Sequence, residues 1–122
     1  MEEQMEIQSN TLDVDEALRR FNGNMAMFLK LLKRFIEINS NIEEKITQVV
    51  NSGDSEEVFI FFHSLKGGFG NLSAKNLYEK SAVLENFARN GNLESIKDEL
   101  PSFYDLYDQL KIAVANLEKT HS

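Results

Sequence analysis

The sequence of 122 residues contains no cysteine, one proline, two histidines and no run of 18 apolar residues. Without cysteine there is no disulfide scaffold, thiolate chemistry, zinc finger or iron–sulfur site. His63 and His121 stand far apart with no second histidine near either, which argues against a His-based metal site. Without a long apolar run, no helix is expected to span a bilayer. The acidic start, Met1-Glu2-Glu3-Gln4, has no apolar h-region, so no signal peptide is expected and a cytoplasmic location follows. Basic residues are also scarce: 13 against 20 acidic ones, a net charge of −7. A chain of that sign is repelled by phosphate backbones and anionic lipid, which disfavours nucleic-acid and membrane-surface roles. What remains is 42% hydrophobic and 27% charged, the make-up of one soluble domain whose core needs no staples.

The single proline argues for long helices, with glycines as punctuation. Gly23, Gly53, Gly70 and Gly91 each follow a helix-like stretch, where a left-handed residue is wanted. Residues 1–10 read as a polar tail and residues 11–120 as one domain. A short first helix starts at Asp13, whose spacing to Glu16 is that of a capping box, and ends near Phe21. A second helix runs from about Asn24 to Val50, with an apolar stripe through Phe28, Leu31, Leu32, Phe35, Ile38, Ile42, Ile46 and Val49. A third runs from Asp54 to about Phe69, again opened by a capping-box spacing, Asp54 to Glu57. A fourth runs from Ser73, a good N-cap, to Asn90, with a small-residue stripe through Ala74, Leu77, Ser81, Leu84 and Ala88. After Asn92 the stripe Leu93, Ile96, Leu100, Phe103, Tyr107, Leu110, Val114 and Leu117 holds its phase through Pro101, which predicts two in-line pieces or a kinked helix. The expected fold is all-α: an antiparallel up-down-up-down four-helix bundle with a short extra N-terminal helix.

One residue does not suit a plain bundle. With His63 at zero on a helical wheel, Val58, Phe61, Phe62, Leu65 and Phe69 centre on about 200–220°. His63 therefore points out of the bundle. Phe59 and Ile60 lie behind it, an apolar pair that reads as a docking patch. Gly67 and Gly68 sit inside the helix, where each costs about 1 kcal/mol relative to alanine. Gly67 is about 40° from His63 on the wheel, so its missing side chain clears space over the imidazole. Gly68 faces the flank and permits a neighbouring helix to pack closely. A neutral imidazole on a rigid helix can attack phosphorus, and Lys66, one turn on, can share the charge of the phosphoryl oxygens. On the wheel alone, His63 could equally be an ordinary surface histidine and Lys66 a solvated lysine.

The run His63-Ser64-Leu65-Lys66-Gly67-Gly68-Phe69-Gly70-Asn71-Leu72-Ser73-Ala74, followed by Leu77 and Leu84-Glu85, resembles the signature of histidine-containing phosphotransfer (HPt) domains. That signature reads roughly H-x-L-K-G-x-x-x-x-L-G, then an apolar position and an L-E pair. Thr11-Leu12-Asp13 to Phe35 also resembles the family's opening, and the resemblance covers about residues 11–118. It implies a four-helix bundle that carries a phosphoryl group on one histidine, taken from an aspartyl phosphate of a receiver domain and passed to another. His63 would be the phosphorylated residue, Lys66 would neutralise the phosphoryl group, and Gly67 would keep the site open. Phe59, Ile60, Gly70, Glu85 and Arg89 would contribute to docking. Partners would be response-regulator receiver domains and a hybrid histidine kinase, the chain acting as a monomer. No cofactor is implied, Mg²⁺ being expected only from the receiver. The chain departs from the pattern at Ser73, where glycine is usual and a different turn is therefore expected, at Gly68 and Phe69, and at Glu85, where glutamine is more usual.

The run Lys66 to Gly70 lacks the G-x-x-x-x-G-K-[ST] spacing of a phosphate loop and continues a helix, so ATP cannot be the chain's own phosphate source. The expected role is thus a phosphoryl carrier, not a kinase. The alternative is an adaptor that binds a receiver or kinase through the same face without carrying phosphate. Arg89 also suits the negative end of its helix without any site role, and His121 reads as an inert terminal residue.

Overall fold

The computed structural model describes residues 10–121, so of the tail expected at residues 1–10 all but Asn10 lies outside the described residues. These residues form six helices and no strand: α1 (Val14–Arg20), α2 (Met25–Ile38), α3 (Ile42–Asn51), α4 (Ser55–Asn71), α5 (Lys75–Arg89) and α6 (Leu93–His121). Asn10 is tied down, its carbonyl accepting the Asn76 N–H at 2.7 Å. Helices α1, α2 and α4 start where a short polar side chain takes up free N–H groups. Asp13 accepts from Glu16 N, Asn24 from Met27 N, and Asp54 from both Glu56 N and Glu57 N.

The expected second helix is broken in two. Residues Asn39-Ser40-Asn41 separate α2 from α3, and the buried Asn39 turns its side-chain amide back to donate to the Phe35 carbonyl at 2.9 Å. Asparagine and serine offer the backbone such local alternatives to the helix. The apolar phase resumes at Ile42, which is why the stripe looked continuous. Leu31 and Ile38, read as core, are exposed, Ile38 at 55%. Pro101, by contrast, does not divide α6, which runs through it as one helix. Pro101 and Lys97, whose carbonyl loses its N–H partner, both lie on the exposed side, where water can take that place.

The turn between α4 and α5 also differs from expectation. Gly70 is still helical, and Ser73 is not the N-cap of α5 but the left-handed residue after α4, with φ 61°. Ser73 N donates to Gly70 O at 3.1 Å and Ala74 N to Phe69 O at 2.9 Å, the paired bonds of a Schellman ending. The same pair of bonds closes α5 around Gly91, from Gly91 N to Ala88 O and from Asn92 N to Phe87 O. The turn at Ser73 is thus the one a glycine would make, not a different one. The buried serine is held by its hydroxyl, which donates to Glu16 Oε1 at 2.8 Å and accepts from Arg20 Nη1 at 3.0 Å. Arg20 also donates to the carbonyls of Gly70 and Asn71, so α1 clasps the end of α4.

The core runs the length of the molecule. Phe28, Phe62, Phe69 and Phe103 are fully buried, with Phe62–Phe103 and Phe69–Phe103 ring centroids 6.0 and 6.2 Å apart. The most extensive packing is between α4 and α5; α5 packs on α6, α6 on α2, and α3 on α4. Ala74, the N-cap of α5, and Ser81 and Ala88 within it are all buried, and their small side chains let α4 come close. That approach positions the site.

Candidate functional site

His63 stands midway along α4 with its side chain 62% exposed. Its Nδ1 lies 2.9 Å from Oε1 of Glu85 on α5. The other oxygen of Glu85, Oε2, accepts from Lys66 Nζ at 2.5 Å. Glu85 is buried, at 7% exposure. Burial opposes its ionisation more than any other influence, yet the hydrogen bonds from Lys66 and His63 together outweigh it, and its pKa lies below the ordinary 4.5. An ionised carboxylate can only accept, so His63 Nδ1 is the donor. In the neutral imidazole this bond selects the Nδ1–H tautomer, which leaves the Nε2 lone pair free.

Two further groups fix the ring. Phe59 stacks on His63 with centroids 5.6 Å apart and planes 15° from parallel. Arg89, at the end of α5, lays its guanidinium over the other part of this stack, 4.9 Å from the Phe59 centroid. Phe59 was read as aimed at solvent; it is half-buried, packed against the core and under Arg89. Ile60 is exposed, at 58%. Lys66 is mostly covered, its Nζ 5.9 Å from the centre of the Tyr78 ring, and it meets His63 only through their shared carboxylate.

The glycines divide by what surrounds them. A Cβ on Gly67 would meet nothing within 4 Å, so the helix surface one turn from His63 is open. A Cβ on Gly68 would lie 2.6 Å from Phe35 Cε1, so this glycine admits α2 against α4. Gly70, expected at the docking surface, is half-buried, and a Cβ there would lie 3.0 Å from the ring of the exposed Tyr78.

The structure thus brings His63, Lys66, Glu85, Phe59 and Arg89 together and leaves Gly70 outside the cluster. Sequence reasoning placed Glu85 nearby but did not foresee that it turns toward the histidine. The available signal was its register: Ser81, Glu85 and Ala88 follow the four-then-three step of the buried stripe, which puts an acid on the inner face. Tyr78, exposed at 43%, was not singled out. Among the described residues, no group of three or more His, Asp or Glu side chains could hold a metal ion, and no helix is long and apolar enough to cross a membrane.

A family model described as the Hpt domain matches residues 30–120, three quarters of the chain. The chain belongs to the Hpt domain family. Comparisons with curated proteins and with solved structures found no match. The Hpt match spans α3, α4 and α5 whole and α6 up to Thr120, so the His63–Glu85–Lys66 cluster falls entirely within it. It begins inside α2 and does not include α1. Hpt domains are phosphotransfer modules of two-component phosphorelays, working with receiver domains and histidine kinases.

Proposed function

We propose that this Hpt domain carries a phosphoryl group on Nε2 of His63. The observation that supports this most directly is the Glu85 hydrogen bond, which occupies Nδ1 and leaves Nε2 free on a ring whose side chain is 62% exposed, one turn from the open surface at Gly67. A receiver's aspartyl phosphate presents phosphorus to that lone pair. The Nε2–P bond forms as the bond from phosphorus to the aspartyl oxygen breaks, and the aspartate leaves as carboxylate. The ring gains positive charge as it is phosphorylated, with Nδ1–H still in place, and the Glu85 carboxylate opposes that charge. Lys66 holds Glu85 ionised and in position, and its charge offsets the excess of negative charge when the phosphoryl oxygens arrive. Transfer to a second receiver runs the same step backwards.

In this reading the chain is a phosphoprotein and carrier without kinase activity of its own. Its bundle runs up-down-up-down, with α2 and α3 together forming one arm. Mg²⁺ comes with the receiver, the site meets its partners in the cytoplasm, and the chain acts as a monomer that presents His63 freely. Ile60, the open surface at Gly67 and the exposed Tyr78 form the apolar ground on which a receiver settles. The test is transfer from a phosphorylated receiver with Mg²⁺ to the parent chain and to His63→Gln, scored as acid-labile, base-stable label. Label on the parent alone is the expected result. No label with several receivers, alongside binding that survives His63→Gln, would replace the carrier with an adaptor.

A further inference from the structure

The chain is acidic overall, yet one groove is rimmed by cations. It lies between α2 and α6, has a volume of about 850 Å³, and carries Lys30, Lys33 and Arg34 from α2 and Lys111 from α6. Four of the chain's 13 basic residues therefore border one depression, in a molecule of net charge −7. Lys33 is paired with Glu118 at 2.6 Å and Lys111 with Asp108 at 3.3 Å. Among the described residues, Lys30 and Arg34 have no carboxylate within 4 Å, and both are exposed. The floor is apolar: Leu29 and Val114 are buried at its base, and the small side chains of Ala26 and Ala115 leave the space above them open.

The groove is on the far side from His63. Since α4 packs on α5, α5 on α6 and α6 on α2, the α2–α6 seam lies across the bundle from the α4–α5 seam that holds the site. Along α2 it runs from Ala26 to Glu37, about 16 Å at 1.5 Å per residue, the length of three helical turns. We infer that this groove docks an acidic amphipathic helix of a partner protein, and that it does so while His63 faces a receiver.

Charge and shape select that occupant. An apolar floor between cationic rims fits a helix with apolar residues at i, i+3, i+4 and i+7 and carboxylates on its flanks. A long polyanion or an anionic bilayer meets the whole field of a −7 chain and is repelled beyond the groove. A short helix meets only the local field, since charges more than about 8 Å away are screened at physiological salt. Glu37 and Glu118, at the groove's edge, further disfavour a uniformly anionic surface.

The test uses the full chain and a fluorescein-labelled 18-residue peptide of Leu, Ala and Glu with a single leucine face. Its scrambled isomer is the control. Anisotropy should show saturable binding that weakens as salt rises from 50 to 300 mM. Lys30→Glu with Arg34→Glu should lower affinity at least tenfold and leave phosphoryl transfer to His63 at the parental rate. Ala115→Trp, which fills the groove from an exposed position, should give the same loss with the charges intact. The inference is overturned if the scrambled peptide binds equally or if neither variant weakens binding. It is also overturned if phosphatidylglycerol vesicles bind with that variant dependence and the peptide does not, or if light scattering shows a dimer that Ala115→Trp dissolves, making a second copy the occupant.

Discussion

Adjacent glycines one turn past His63 should respond oppositely to side chains. At Gly67 a Cβ meets open space, so any good helix former gains the propensity that glycine forgoes. Gly67→Leu should stabilise the fold by about 0.5–1 kcal/mol. At Gly68 the same propensity gain opposes a Cβ placed 2.6 Å from Phe35 Cε1. The Phe35 ring cannot yield freely, because its edge packs on Phe69 with centroids 5.2 Å apart. Overpacking of this kind costs about 1–3 kcal/mol, and displacing the aromatic pair adds about 0.5–1.5 kcal/mol. After the propensity gain of about 1 kcal/mol, Gly68→Ala should be destabilised by about 1–3 kcal/mol. Urea unfolding followed by helical circular dichroism reads both. Against a slope of about 1–3 kcal/mol per molar urea, the two midpoints should separate by roughly 1 M in opposite senses. Function should run against stability: Gly67→Leu, the more stable protein, should lose at least tenfold in phosphoryl transfer because its side chain stands where the receiver must close. If Gly67→Leu is destabilised as much as Gly68→Ala, the open space at residue 67 is misread. If it is stable and transfers at the parental rate, the glycine has no part in docking.

Four further outcomes concern the polar side chains Ser81, Ser73 and Glu85. Among the described residues the buried Ser81 Oγ has no hydrogen-bond partner, so Ser81→Ala should stabilise by about 0.5–2 kcal/mol in urea unfolding; a loss would reveal a partner for that hydroxyl. At Ser73, alanine keeps the left-handed strain and loses both hydroxyl bonds, while glycine sheds about 1–2 kcal/mol of strain as it loses them. The melting order should therefore place Ser73→Ala below both the parent and Ser73→Gly, and the reverse order of the two variants would contradict the Schellman reading. Glu85, whose pKa is lowered in the fold, contributes fully above its ordinary 4.5 and loses that contribution as acid takes the pH down through the folded-state value. Parent and Glu85→Gln should thus converge in stability on acidification below pH 4.5. In ¹⁵N spectra at neutral pH, Glu85→Ala should also release His63 from the Nδ1–H tautomer, whereas Glu85→Gln, still an acceptor, should keep it there; an unchanged tautomer in Glu85→Ala would remove Glu85 as its cause.

What the sequence made legible was what depends on periodicity and on near neighbours. The stripes of α4, α5 and α6 follow from steps of three and four, and the caps at Asp13 and Asp54 from residues three positions apart. His63 could be pointed outward because only its own helix was needed to say so. Three features escaped because their causes are tertiary or are disguised as something regular. The break at Asn39–Asn41 leaves the apolar phase undisturbed, so no count of positions exposes it. Ser73 adopts a glycine's backbone because Glu16 and Arg20, more than fifty residues earlier, hold its hydroxyl. Glu85 is placed near His63 by the family resemblance, but its bond to the ring depends on how close α5 lies to α4.

That last point reaches the site. One carboxylate serves two donors, His63 Nδ1 through Oε1 and Lys66 Nζ through Oε2, and the donors are one turn apart on a single helix. Their spacing along α4 is fixed by the helix itself; their distance from Glu85 is fixed only by how close α5 lies. Large residues at Ala74, Ser81 or Ala88 would push α5 away and leave a buried carboxylate without either partner, the costly case of an unpaired buried charge. The small-residue stripe is therefore as much a part of the site as the histidine. Ser81 shows this most directly, since among the described residues its hydroxyl has no partner and its size is what the position uses.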